Sequence, residues 1–169
     1  MNLKNTLALT LLFIGMTTVA SAQQKQPASP PETVQGTING ANITINYSAP
    51  SVKGREIWGG LVPFDKVWRA GANNATTFTT DKAIVVEGKS LPAGTYAFFV
   101  IPTKSEATVI FNKVASQWGA YDYDAAQDQL RIHVKPKLTD KRTEKLLYTI
   151  DNGAVVLSWD NWNIPISVK

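Results

Sequence analysis

Between residues 33 and 168 the chain carries repeated short runs in which apolar and polar positions alternate with a period of two. Successive side chains of a strand point to opposite faces, so each such run predicts a strand half buried against a core. In Ala41 to Tyr47, Ile43, Ile45 and Tyr47 fall on one face, and Asn42, Thr44 and Asn46 on the other. Thr33 to Ile38 precedes this run, and the Asn39-Gly40 pair between the two is the strongest short hairpin signal a sequence offers. Strands are further predicted over Thr76 to Thr80, Ala83 to Glu87, Thr95 to Ile101, Thr108 to Asn112, Leu130 to Val134, Lys145 to Ile150, Ala154 to Trp159 and Asn163 to Val168. Turn residues separate them at Gly88-Lys89, Pro92-Ala93-Gly94, Pro102-Thr103, Pro136 and Asn152-Gly153. The run YAFFVI, apolar at nearly every position, reads as a strand in the middle of a sheet covered on both faces.

Many short strands divided by turns predict an all-β fold: an antiparallel β-sandwich, jelly-roll-like or a related barrel. Two loops hold short helical turns in this reading. One is Phe64 to Ala70, bracketed by Pro63 and Gly71, with Phe64 and Trp68 four apart on one face; the other is a single turn at Asp124 to Asp128.

The N-terminus changes the picture of where such a domain works. Lys4, the apolar run Leu7 to Met16 and the small residues Ala20-Ser21-Ala22 read as a signal peptide over residues 1–22, cleaved after Ala22. That run is too short to span a bilayer, so no membrane span is expected after cleavage, and the product is expected to be periplasmic or secreted. QQKQPASPPE, residues 23–32, reads as a disordered proline-rich leader, and residues 33–169 as a single domain. With no cysteine, the chain excludes disulfides and a cysteine-linked lipid anchor, so packing alone must hold it. The formal net charge of +4 comes from scattered lysines without a basic run, which argues against nucleic acid as a partner.

One stretch departs from plain β-patterning: GREIWGGLVPFDKVWRAGANNATTF, residues 54–78, carries two of the four arginines and two of the five tryptophans. Arg55 and Arg69 present planar forks suited to carboxylates, phosphates or sulfates, with Glu56 and Asp65 as near acidic partners in sequence. Each arginine either pins the loop through acids or carbonyls or faces a ligand together with the amides of Asn73 and Asn74. Trp58 and Trp68 pack under the loop, or form a platform for a sugar ring with Trp118, Tyr121 and Tyr123, or with Trp159 and Trp162. The candidate ligand set is therefore Arg55, Trp58, Arg69, Asn73 and Asn74, with Glu56, Asp65, Trp68, Trp118, Tyr121 and Asp122 as secondary candidates.

Catalytic constellations are thin. The single histidine, His133, lies on the polar side of LRIHVK, which together with the absence of cysteine argues against an ordinary zinc site. There is no G-x-S-x-G elbow. Asp122, Asp124 and Asp128 lack the spacing of an EF-hand loop and read as turn residues. No metal and no cofactor are expected. A carboxylate pair, Glu56 with Asp65 or Asp122, leaves open a small glycan-active hydrolase, for which separation across a cleft is the test.

Several of these segments together resemble a known family. GREIWGGLVPFDKVWRAGANNAT, VEGKSLPAGTYAFFVIP, TVIFNK, WGAYDYDAAQDQLRI and VLSWDNWNIPISV, in this order between residues 49 and 168, are similar to the bacterial family catalogued as domain of unknown function 2911. The resemblance implies an exported protein of the Bacteroidota type and supplies no activity, cofactor or catalytic residue. Members often carry an acidic residue where this chain has Asn74. The expected function is a non-catalytic exported binding module of the cell envelope or periplasm, its ligand a glycan or a small anionic molecule. The alternatives are the carboxylate-pair hydrolase and a structural or partner-binding module without a small-molecule site.

Overall fold

The computed structural model describes residues 27–151 and 153–169, so the segment read as a signal peptide lies outside the described residues. Among the described residues, ten strands run in chain order: β1 (Pro31–Ile38), β2 (Ala41–Ser48), β3 (Thr76–Thr80), β4 (Ile84–Val86), β5 (Lys89–Leu91), β6 (Gly94–Pro102), β7 (Ala107–Asn112), β8 (Asp128–Val134), β9 (Lys137–Asp151) and β10 (Ala154–Ser167). Six of them form an antiparallel sheet in the order β1-β2-β3-β6-β7-β8; β9 and β10 form a long hairpin, and β4 with β5 a short one. The sheets stay open, so the architecture is an all-β sandwich and not a closed barrel.

The alternation places the core. Ile43, Ile45 and Tyr47 of β2, Phe78 of β3, Phe98 of β6 and Phe111 of β7 meet Leu146 and Tyr148 of β9 and Val155, Leu157 and Trp159 of β10 in one buried cluster. The other face of β6 and β7, through Ala97, Phe99 and Ile110, is covered by Ala120 and Tyr123, which explains why YAFFVI is apolar on both sides. The Asn39-Gly40 turn takes φ values of 49 and 79, the left-handed pair a two-residue hairpin requires.

Phe64 to Ala70 does not form the expected helix. Strand β3 pairs with β6 only as far as Phe98, leaving the backbone groups of Val100 and Pro102 on that side without a strand neighbour. Buried backbone polar groups must be paired, and the loop supplies the partners. Trp68 exchanges hydrogen bonds of 2.8 and 2.9 Å with Val100, and Asp65 N donates to Pro102 O at 2.8 Å. Asp65 (φ 61) and Ala70 (φ 54) turn left-handed to bring the chain in and out. The second turn does form, as the 3-10 helix Ala125–Gln127, with the Asp124 carboxylate accepting from Ala126 N at 2.9 Å.

The runs Ala154 to Trp159 and Asn163 to Val168 belong to one strand, ending at Ser167, and not to two. Val155, Leu157 and Trp159 face inward, and after Asp160 the inward set becomes Trp162, Ile164, Ile166 and Val168. Asp160, at φ 51, shifts the phase of the alternation by one. The pairing with β9 slips at the same place: from Ser158↔Leu147 to Trp162↔Leu138, β9 uses nine residues where β10 uses four. The surplus bows outward as the polar, exposed stretch around Asp140 to Arg142.

Candidate functional site

Four of the five tryptophans converge between the 54–78 loop and the irregular part of β10. Trp58 stacks on Trp162 with ring centroids 4.4 Å apart, Trp68 stacks on Trp159 at 5.6 Å, and Trp58 meets Trp68 edge-on at 5.7 Å. Aromatic pairs of this geometry contribute about 0.5–1.5 kcal/mol each beyond area burial. Trp68 Nε1 donates to Gly71 O at 3.2 Å, but Nε1 of Trp58 and of Trp159 are buried without an acceptor. A buried unsatisfied donor costs on the order of 1–3 kcal/mol.

A cavity of about 590 Å³ opens beside the Trp58–Trp162 stack. Its lining comes from four places in the sequence: Glu56, Ile57, Trp58 and Phe64 from the loop, Lys104 and Ser105 from the β6–β7 turn, Lys135 and Pro136 from the β8–β9 connection with Leu138 at the start of β9, and Asp160, Asn161 and Trp162 from β10. Leu138, 72% exposed, sits at the mouth. Asp160 is buried, and its Oδ1 lies 3.4 Å from Arg142 Nε without making a hydrogen bond. An apolar floor with a few converging polar groups, within the usual 300–1,000 Å³, is the form that small-molecule sites take.

The residues singled out in the sequence are divided. Glu56 and Trp58 line the larger cavity. Arg55 donates to the carbonyls of Val52 (3.0 Å) and Ser51, so it pins its own turn. Arg55, Trp68 and Arg69 line a second, smaller cavity with Trp159. Asn73 donates to Ser48 Oγ at 3.2 Å, and Asn74 pairs by backbone with Trp118; neither lines the two cavities beside the tryptophans. Asp65 and Asp122 are exposed and lie outside both. Trp118 and Tyr121 are 61% and 81% exposed, apart from the cluster that holds the other four tryptophans.

His133 projects from β8 into solvent and pairs with Glu106 at 2.8 Å. Asp128 binds Arg131, Asn112 and Tyr123, and burial together with the neighbouring Asp128 carboxylate pushes the Tyr123 phenol up to about 12. Among the described residues, no group of three or more His, Asp or Glu side chains is placed to hold a metal ion. No helix there is long and apolar enough to cross a membrane.

Residues 29–168 match the family described as a protein of unknown function, DUF2911. The chain belongs to that family. No curated protein and no solved structure matches it. In this DUF2911 domain the family segments GREIWGG and VLSWDNW come together in space as the tryptophan cluster. Lys104, Lys135, Leu138, Asp160 and Asn161 were not among the candidates read from the sequence. For Asp160 and Asn161 a signal was there: a polar pair between two tryptophans, at the point where the alternation changes phase. The lysines carry none, since only the fold brings two separate turns to one rim.

Proposed function

We propose that this protein is a non-catalytic binding module of the cell envelope or periplasm, and that its ligand is a small molecule with an apolar body and an anionic group. The observation that carries this is the larger cavity. Trp58, Trp162, Phe64 and Leu138 offer an apolar bed, and Lys104 and Lys135 stand at its rim as the cations for an acidic end. The orphaned Nε1 of Trp58 and the incompletely paired Oδ1 of Asp160 give a ligand hydroxyl or amide something to satisfy. Export rests on the leader sequence, and the mass of the mature chain tests it: cleavage after Ala22 leaves Gln23 as the first residue.

The binding test is a thermal-shift and fluorescence titration of the mature protein against short fatty acids, aromatic carboxylates and oligosaccharides. A ligand specific for the folded state raises apparent stability by about 2.7 kcal/mol at a hundredfold excess over Kd. Binding in the larger cavity is expected to quench the Trp58–Trp162 pair. Leu138→Glu, a change at an exposed position, is expected to weaken acidic ligands at least tenfold without altering the fold. A flat response to all three classes would favour a structural module. Turnover of an oligosaccharide that Glu56→Gln abolishes would replace the binding reading with a hydrolase.

A further inference from the structure

The second cavity has a chemistry of its own. It encloses about 200 Å³ on the other side of the tryptophan cluster and shares no lining residue with the first. Ser29, Arg55, Trp68, Arg69 and Trp159 supply its side-chain functional groups, and no aspartate or glutamate lines it.

Two of its donors, on Trp159 and Arg69, lack acceptors. Trp159 is fully buried, and its Nε1 has no partner. Arg69 Nε is buried and unpartnered too, and its guanidinium joins none of the ion pairs among the described residues. Trp68 already has an acceptor in Gly71 O, and Arg55 is held in place by the carbonyls of Val52 and Ser51. Those two bonds use Nε and Nη2 of Arg55 and leave Nη1 for something else.

A neutral guest accounts poorly for this lining. Two guanidinium charges in a cavity lined by no carboxylate call for negative charge, and a partly buried arginine without a counter-ion is unfavourable. Guanidinium forks bind oxyanions through paired hydrogen bonds, and an indole N–H adds a third, neutral donor. The volume exceeds the roughly 150 Å³ of an apolar cavity that holds benzene, so a carboxylate with a few carbons, a phosphate or a sulfate has room.

We propose that Arg69, Arg55 and Trp159 form a binding site for a small oxyanion, separate from the larger cavity. Arg69 provides the charge and the fork, Trp159 a buried donor in the lining, and Arg55 a fixed cation.

The test uses the mature chain and titrates inorganic phosphate, sulfate and acetate, with chloride holding ionic strength constant. Saturable binding by calorimetry, with a rise in Tm, is expected for at least one of the three and for chloride alone not at all. In the ¹H–¹⁵N spectrum the indole signal of Trp159, assigned from Trp159→Phe, is expected to shift with occupancy. Arg69→Gln is expected to weaken binding at least tenfold and Arg69→Lys, which keeps the charge and loses the fork, by less. Lys135→Gln, in the other cavity, leaves it unchanged. Near-UV circular dichroism checks that each variant keeps the tryptophan packing; if Arg69→Gln does not fold, Arg69→Lys and Arg55→Gln carry the comparison. No saturable response to any of the three anions would overturn the site, as would arginine variants that fold and bind like the parent. Because acidic amphiphiles are tested with Leu138→Glu and inorganic anions with Arg69→Gln, failure at one cavity is distinguishable from failure at the other.

Discussion

Ala70 is buried in a left-handed conformation that a residue other than glycine rarely takes, and two hydroxyls hold it there. Its carbonyl accepts from Tyr148 Oη at 2.8 Å and from Thr76 Oγ1 at 2.9 Å, tying the end of the 54–78 loop to β9 and β3. Tyr148→Phe removes one of the two bonds and leaves the carbonyl still paired, so a loss of about 0.5–1.5 kcal/mol is expected in urea unfolding. Burial pushes the Tyr148 phenol well above its ordinary value, and the phenols of Tyr47 and Tyr96 move the same way. Tyr123 is the case with a window attached. Its folded value of about 12 exceeds the ordinary 10.0, so the fold favours the neutral phenol. The stability this contributes is fully present below pH 10 and is lost as pH rises through about 12. Melting followed across that range should show falling stability, and Tyr123→Phe should make the fall shallower; a slope unchanged in Tyr123→Phe would assign the loss to the other tyrosines.

At the scale of elements, strands legible in the sequence are those whose apolar residues mark one face or, as in β6, both. β1 and β2 were readable because Ile43, Ile45 and Tyr47 alternate with polar residues around an Asn-Gly turn. The first half of β9 was not: Lys137 to Glu144 is exposed along nearly its whole length, so no face of it is marked by apolar residues. Phe64 to Ala70 carried helix punctuation, yet the vacant edge of β6 beyond Phe98 decides its conformation, and a partner distant in sequence leaves no local trace. The candidate site was half legible for the same reason. The loop residues Glu56 and Trp58 were visible, while the lysines that share their cavity come from turns with no distinguishing composition. β1 also shows how closely an edge is fitted. A Cβ on Gly36 would lie 2.6 Å from Ile150 Cγ2, so β1 approaches β9 through a position where any side chain forces Ile150 to shift. Gly36→Ala is expected to cost about 1–3 kcal/mol. Combined with Ile150→Ala, part of that cost should vanish, and a double-mutant cycle measures the coupling; simple additivity would mean that the strands separate instead of clashing.

For the molecule as a whole, the six-stranded sheet and the β9–β10 hairpin make a scaffold whose irregularities gather at one place. The 54–78 loop, the phase shift at Asp160 and the bow of β9 adjoin the same four tryptophans, and the two cavities lie on either side of them. One strand serves both cavities because of that phase shift: Trp159 reaches the smaller and Trp162 the larger, three positions apart and both turned inward. Regular pairing of β9 with β10 holds from Asp151 back to Leu147, touches once more at Thr143 opposite Asp160, and resumes at Leu138 after the bow. Removing Asp140 and Lys141 is therefore expected to leave the melting temperature within a few degrees of the parent while changing affinity in the larger cavity, both measurable in one titration series. Loss of cooperative unfolding would show that the bow is part of the core. The surplus of β9 over β10 is, in effect, spare chain beside a pocket mouth: a place where insertions and deletions reshape what the pocket admits without passing a register error into the sheet that holds it.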